Sequence, residues 1–341
     1  MSSPPPTTPR EPASTTVQGL VAAVGRRVSV RRRVAGGLSD VVGELVEADP
    51  THLVVRRRDG GLVEVAAADF VSGRAIPPPA QRLRSAADVS DLTLERVAAH
   101  GWRPTEEGTL GQWRLRAGGG FTGRANSVLP LGDPGLPLAQ AAEVVRTWYR
   151  ERGLTPLVQV PLPLLSRLDE ELADLGWVAA NPVVVIVGDR SATLLAIEER
   201  LAGRPTTGSF TTTVAGLPDE QWMTLYHYRG TALPAAARDV LVNADQPLFV
   251  TARDGDGHAV AVARAAVTGQ WVGVTAVTVA PAARRQGAAT VVMRDVLVEA
   301  GRLGARFVYL QVAEENQPAR TMYEAMGLTV HHRYHYRRWD D

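Results

Sequence analysis

The spacing of apolar and polar residues separates a strand-rich stretch at the start of the chain from a longer stretch of alternating strands and helices. Between residues 21 and 76, short valine-rich runs are interrupted by turn signals such as Gly36-Gly37 and Asp59-Gly60-Gly61. Short, closely spaced strands of this kind favour a small all-β barrel. From residue 85 onwards, strand-like runs alternate with apolar residues at helical spacing, which predicts an α/β domain.

The most informative stretch is a strand followed by a helix near the end of the chain. Residues Trp271–Val279 are rich in valine and threonine and precede Pro281, which predicts a strand, and the apolar positions from Gln286 to Gly301 recur at helical spacing. Gly287 lies at the turn between them, where the unpaired N–H groups of a helix's first turn bind phosphate. The stretch contains neither GxGxxG nor GxxxxGK(S/T), so the common nucleotide-binding loops do not fit.

Two motifs in this region resemble those of a known family. Arg284, Gly287 and Ala289 match the pattern Arg/Gln-x-x-Gly-x-Gly/Ala, which resembles the pyrophosphate loop of the GNAT family of acyl-CoA N-acyltransferases. Asn316 and Tyr323 follow in the order and at the spacing of the family's NxxAxxxY segment. The resemblance implies an α+β GNAT fold with a mixed sheet flanked by helices, acetyl-CoA as the acyl donor, and N-acetyltransferase activity.

The resemblance also implies a role for each matching residue. Backbone amides of the strand near Val277 and Val279 would bind the thioester carbonyl and the pantetheine arm. Asn316 would lie beside that arm, and the Tyr323 hydroxyl would lie near the sulfur as the candidate acid for the departing thiolate. The predicted pyrophosphate-binding residues of the loop are Arg284, Arg285, Gln286, Gly287, Ala288, Ala289 and Thr290.

The general base is not evident from the strands. Neither Trp271–Val279 nor Phe307–Val312 contains a carboxylate, so Glu315, in the Glu314-Glu315 pair that follows, is the predicted catalytic base acting through water. The alternative for this pair is an ordinary surface loop. The histidines of the final strand, His331 to Tyr336, could line an acceptor pocket, bind metal or reflect strand alternation. Without supporting carboxylates, no metal site is predicted.

The chain is predicted to have five parts. They are a disordered tail (1–20), a small β-barrel (21–76), a linker (77–84), a degenerate GNAT-like domain (85–190) and a catalytic GNAT domain (191–341). The barrel resembles the Src-homology-type barrels that precede some actinobacterial GNAT proteins. The middle segment repeats the strand–helix order of the last one but has Gly132-Asp133-Pro134 at the loop position, where aspartate repels phosphate and proline lacks an amide donor. We therefore expect a tandem GNAT-like pair whose first member has lost acyl-CoA binding.

Composition narrows the chemistry and the partners. With 37 basic and 36 acidic residues the net charge is +1, so charge favours neither nucleic acid nor a membrane as a partner. The chain has no cysteine, which excludes an acyl-cysteine intermediate, so acyl transfer is expected to be direct. The acceptor that the family resemblance implies is an amine of a small molecule or protein. No apolar run approaches the roughly 18 residues of a membrane span, and the opening residues lack a signal-peptide core, so a cytoplasmic location is expected. The alternative function is that of a catalytically silent regulatory protein that binds acyl-CoA.

Overall fold

The computed structural model contains two compact units, residues 1–82 and 83–341. The structure describes residues 14, 16–57, 60–76, 85–203, 210–227 and 233–340. The predicted linker, residues 77–84, lies outside the described residues, as do the first 13 residues of the predicted tail. No helix in the described ranges is long and apolar enough to cross a membrane.

The first unit is a five-stranded antiparallel sheet preceded by a 3-10 helix over Val17–Ala23. Val17 and Leu20 on this helix are only 4% and 3% exposed and pack into the core of the sheet. The predicted tail therefore extended too far, because these apolar residues, three positions apart, share the buried side of a 3-10 turn. The strands, in the order β4-β3-β2-β1-β5, are β1 (Arg27–Val34), β2 (Gly37–Ala48), β3 (His52–Arg56), β4 (Leu62–Ala66) and β5 (Phe70–Ala75).

The second unit is built around one mixed sheet of eight strands, with the separate hairpin β6-β7. The sheet order is β10-β11-β12-β13-β14-β9-β15-β8, and every neighbouring pair is antiparallel except β13 and β14. Its helices are α1 (Asp91–Gly101), α2 (Leu138–Arg150), α3 (Ser166–Asp174), α4 (Arg190–Ala202), α5 (Glu220–Leu225), α6 (Ala237–Val242), α7 (Ala288–Arg302) and α8 (Gln317–Glu324). Its strands are β6 (Glu106–Leu110), β7 (Trp113–Ala117), β8 (Leu157–Leu162), β9 (Val178–Asp189), β10 (Thr211–Ala215), β11 (Pro247–Arg253), β12 (Ala259–Thr268), β13 (Trp271–Val279), β14 (Phe307–Ala313) and β15 (Thr329–Arg338).

Strand β9 joins the two predicted GNAT-like segments into one unit. It ends the middle segment but lies between β14 and β15 of the last segment, pairing with both. Residues 184–187 of β9 are buried without interruption, as expected for a central strand that is covered on both faces. The predicted boundary between residues 190 and 191 is therefore wrong as a boundary between independent domains, because it cuts through a shared sheet.

Residues 125–131 of the middle segment do not form a continuous strand, although this stretch is largely apolar. Only Val128 and Leu129 make isolated bridges, to Val158 and Arg114 respectively. The Asn126 side chain explains the difference, because its oxygen accepts hydrogen bonds from two backbone N–H groups in the preceding glycine turn, at 2.8 and 2.9 Å. Side chain to backbone bonds of this kind compete with a strand ladder.

The two faces of the sheet bury different helices. Alternate residues of β14 illustrate this, since Val308 and Leu310 pack with α7 on one face while Phe307 and Tyr309 pack with α1 on the other. Helices α4 and α8 complete the first face, and α5 and α6 pack over β11 and β12 on the second. The sheet is thus flanked by helices on both sides, as the sequence predicted.

Replacing Gly273 tests the packing between β13 and β14. A Cβ at this position would lie 2.2 Å from Tyr309 Oη and 2.3 Å from Cζ. We expect Gly273→Ala to lower the free energy of unfolding by about 1–3 kcal/mol because the buried ring must move. Tryptophan fluorescence during urea unfolding measures this in the second unit, since all seven tryptophans lie between residues 102 and 339.

The matched control is Gly216→Ala, where no atom lies within 4 Å of the added Cβ. This variant should remain within about 0.5 kcal/mol of the parent protein. Equal stability of both variants would contradict the described contact between Gly273 and Tyr309.

Candidate active site

A cavity opens where β13 and β14 separate. The two strands pair in parallel only from Trp271–Val274 to Phe307–Leu310, and beyond these residues both continue without pairing to each other. The space between them belongs to an open cavity of about 340 Å³. Its lining comes from both strands, α8, β15 and the segments around residues 123 and 226. The separation therefore leaves backbone groups on facing strand edges available to an extended ligand.

A bulge in β13 accompanies this separation. The β12–β13 register shifts between Val262 and Arg264, and Ala276 adopts a left-handed backbone with φ 53°. Left-handed conformations cost an alanine about 1–2 kcal/mol, so the surrounding structure must hold the bulge in place. Thr275, next to it, donates from its hydroxyl to the carbonyl of Arg264 at 3.4 Å.

The Arg264 side chain connects the bulge to the ends of two helices. It is fully buried and donates through Nε to the carbonyl of Leu241 at 2.6 Å and through Nη1 to the carbonyl of Gly101 at 3.0 Å. Burial lowers the pKa of Arg264 to about 10. Gly101 ends α1 and Leu241 lies in the last turn of α6, so the guanidinium meets the negative ends of two helix dipoles.

The loop before α7 presents backbone amides rather than side chains. Arg285 and Gly287 have φ of 61° and 92°, and Gly287 caps α7 without a side-chain hydrogen bond. The N–H groups of 288–290 therefore lack intrahelical acceptors. Ala288 and Thr290 turn their side chains into the core, whereas Arg284 and Arg285 are exposed. The Gln286 side chain donates back to the carbonyl of Ala282 at 2.6 Å and closes the loop.

Asn316 and Tyr323, predicted from motif spacing, both line the cavity. Asn316 caps α8, because its side-chain Oδ1 accepts a hydrogen bond from the N–H of Ala319 at 3.3 Å. The amide NH₂ of Asn316 takes no part in this cap. Tyr323 is 5% exposed, and its hydroxyl makes no hydrogen bond to the described part of the chain. Burial raises the pKa of Tyr323 above its usual range, so the phenol remains a neutral O–H donor.

The predicted base Glu315 is not part of the cavity lining. Its side chain is exposed in the turn after β14, between the lining residues Ala313 and Asn316, so its role as a base acting through water stays a prediction. Its neighbour Glu314 accepts a hydrogen bond from Arg333 Nε at 3.3 Å, and neither of these two residues lines the cavity. Within the described ranges, no carboxylate lines the cavity, and the imidazole there is that of His227.

Two cavity residues escaped the sequence analysis. Arg124 Nη1 donates to Gln311 Oε1 at 2.7 Å, both residues line the cavity, and the Arg124 guanidinium lies 4.9 Å from the ring centroid of Trp102. The partners are 187 residues apart, so no local sequence signal could have revealed the pair. In β15, Tyr334 and Tyr336 line the cavity, whereas the histidines of this strand do not.

Comparison with known proteins agrees with this geometry. Residues 89–337 match the family described as "Probable histone acetyltransferase Rv0428c C-terminal", and the chain is 32% identical over 327 residues to the probable histone acetyltransferase Rv0428c of Mycobacterium tuberculosis, covering 92% of this chain and 94% of that protein. The chain belongs to the GNAT family of N-acetyltransferases. A GCN5-related N-acetyltransferase from Kribbella flavida shares the fold, with a TM-score of 0.52 at 15% identity over 75% of this chain and 96% of its own.

Two further matches refine the family assignment. The uncharacterized N-acetyltransferase YobR of Bacillus subtilis is 25% identical over 248 residues, covering 72% of this GNAT chain and 96% of the relative. Residues 22–74 match the Rv0428c N-terminal Sm-like domain. The predicted all-β barrel is thus confirmed, and the match specifies it as Sm-like.

Proposed function

We propose that this GNAT protein transfers an acetyl group from acetyl-CoA directly to an amine, with the thioester held between β13 and β14. The main support for the proposal is that the unpaired edge of β13 and the free amides of α7 follow one another along the chain. The unpaired edge of β13 runs into a 3-10 turn at Pro281–Ala283 and then into the free amides that open α7. An extended chain ending in a pyrophosphate matches this sequence of backbone donors.

The loop is suited to the pyrophosphate for two reasons. Gly287 has φ 92° and no atom within 4 Å of an added Cβ, so a ligand can approach the main chain closely. Arg284 and Arg285 are exposed beside it and add positive charge without a large rearrangement. We assign Gln286 and the amides of 287–290 to the phosphate oxygens. Val277, Val279 and Asn316 are assigned to the pantetheine arm.

Tyr323 is assigned to the sulfur. The neutral amine forms a C–N bond with the acetyl carbonyl carbon, the C–S bond breaks, and the departing thiolate takes a proton. A neutral, buried phenol that has no described hydrogen-bond partner is available to donate to the sulfur as its charge develops. The chain has no cysteine, so transfer proceeds without an acyl-cysteine intermediate.

The ammonium proton must leave by another route. Because the described lining contains no carboxylate, we assign proton removal to water at the open mouth of the cavity, beside His227.

The lining does contain the Arg124 guanidinium. This charge disfavours an acceptor with further positive groups close to its reacting amine. The acceptor class is identified by a panel that compares amines carrying no second positive group with lysine-rich peptides. Release of free CoA measures the turnover of each. Binding of acetyl-CoA without turnover of any amine would instead support a silent regulator.

The pyrophosphate assignment is tested by changing charge at Gly287 while keeping shape. Gly287→Asn and Gly287→Asp have similar volume and both residues tolerate a left-handed backbone. We expect the Asp variant to bind CoA at least about tenfold more weakly than the Asn variant, a difference of about 1.4 kcal/mol, because a carboxylate would face phosphate. Calorimetric titration with CoA measures both. Equal affinities would refute the assignment of the pyrophosphate to this loop.

The role of Tyr323 is tested by removing only its hydroxyl. We expect Tyr323→Phe to lower kcat by about 100-fold, the lower range for a general acid, while the KM for acetyl-CoA changes little. Tyr309→Phe is the matched control, since Tyr309 is also buried but lies outside the cavity lining. If kcat is unchanged in Tyr323→Phe, or falls equally in both variants, the acid role is wrong.

A further inference from the structure

His331 and His332 are consecutive in β15, yet both rings reach Asp91 at the start of α1. Neighbouring strand residues normally point to opposite faces, but the β9–β15 register shifts between Val330 and His332, and this bulge brings the two rings to one side. The two Nδ1 atoms are 2.8 Å apart, and Asp91 Oδ1 lies 3.4 Å from that of His331 and 3.9 Å from that of His332.

The other ring nitrogen of each histidine faces a hydrogen-bond acceptor. His331 Nε2 lies 2.8 Å from the carbonyl oxygen of Val89, which can only accept, so this nitrogen carries a proton. His332 Nε2 lies 2.8 Å from Glu95 Oε1, and both of these side chains are buried. The protonation of His332 therefore depends on which role the Glu95 carboxylate plays.

A chain of buried side chains also contacts Glu95. Arg116 can only donate, and its Nη2 donates to Gln159 Oε1 at 2.9 Å, which sets the orientation of the amide. Gln159 Nε2 then donates to Glu95 Oε2 at 2.7 Å. Where Glu95 is a carboxylate, both of its oxygens accept, and His332 Nε2 donates to Oε1. With each Nε2 carrying a proton, the two Nδ1 atoms face each other across 2.8 Å.

A cation between the two Nδ1 atoms, either a proton shared by the rings or a metal ion, offsets the repulsion of their lone pairs at 2.8 Å. We propose that His331 Nδ1, His332 Nδ1 and Asp91 Oδ1 bind a zinc ion. Three atoms with the observed separations lie on a circle of about 2.0 Å radius, and Zn–N and Zn–O bonds are about 2.0–2.2 Å long. Two imidazoles and a carboxylate are ligands that zinc accepts with a water in the fourth position. Asp91, whose side chain is 24% exposed, gives that water access to solvent.

The surroundings of the three ligands match those of metal centres. Ligating histidines donate their second N–H to a carboxylate or backbone carbonyl, as His332 does to Glu95 and His331 to Val89. None of the three ligands lines the cavity between β13 and β14. The ion therefore serves the fold, because it joins α1, at the start of the second unit, to β15, at its end.

Zinc titration of the full, untagged chain after treatment with a chelator tests this proposal. Competition with a chromophoric chelator should show one equivalent of zinc bound at sub-micromolar concentration, and cobalt(II) should give the intense visible absorption of a four-coordinate site. Asp91→Asn and His331→Ala should each weaken zinc binding at least about tenfold. Zinc should raise the unfolding temperature of the parent protein and not that of these variants.

Three matched variants locate the bound ion. His335→Ala removes a histidine of the same strand that pairs instead with Asp169 at 2.6 Å, and it should retain zinc. His52→Ala and His258→Ala disrupt two more exposed groups of acidic residues and histidine, and they should retain zinc as well. The proposal is overturned if the parent protein binds no zinc. It is also overturned if Asp91→Asn, whose partly exposed position tolerates the change, binds zinc as tightly as the parent.

Discussion

The second unit depends on the departure of β13 from β14 after four paired residues. A sheet that stops pairing leaves backbone donors and acceptors without partners, and in a buried setting this is costly. Two features stabilise the separation of the strands. They are the left-handed backbone of Ala276 and the buried guanidinium of Arg264, which donates hydrogen bonds to the ends of α1 and α6. The resulting edges face the cavity, where a ligand's amide groups can complete the hydrogen bonding that the sheet leaves unfinished.

The shared strand β9 explains why the two GNAT-like segments form one body. It pairs with β14 on one side and β15 on the other, so the last segment alone would have a gap in the centre of its sheet. The middle segment thus contributes a central strand to the sheet and, through Thr122, Gly123 and Arg124, part of the cavity lining. That its Gly132-Asp133-Pro134 loop does not bind phosphate stays a prediction from the sequence.

Local patterns predicted the elements that carry the cofactor motifs. The bounds of β13 are those predicted, and α7 begins two residues after the predicted Gln286, because Gly287 is the cap. Apolar periodicity and turn chemistry act over a few residues, so a single sequence can display them. The placement of Asn316 and Tyr323 beside one ligand came from the family resemblance, and both residues line the same cavity.

Contacts between distant residues could not be predicted in the same way. The insertion of β9, the Arg124–Gln311 pair and the bond between Glu95 and His332 join residues more than 100 positions apart. The histidines of β15 show the consequence, because the sequence offered no carboxylate near them, whereas the fold brings Asp91 and Glu95 from α1. Glu315 lies outside the cavity lining for a related reason, since adjacency in sequence to β14 does not determine which way a turn residue points.

A crystal structure of the full chain with acetyl-CoA tests the central claim most directly. The account predicts pyrophosphate oxygens within hydrogen-bond distance of the amides at the start of α7, the pantetheine arm between the diverging ends of β13 and β14, and the sulfur next to the Tyr323 hydroxyl. Acetyl-CoA bound elsewhere, or a closed β13–β14 pair with the pantetheine outside the sheet, would contradict it.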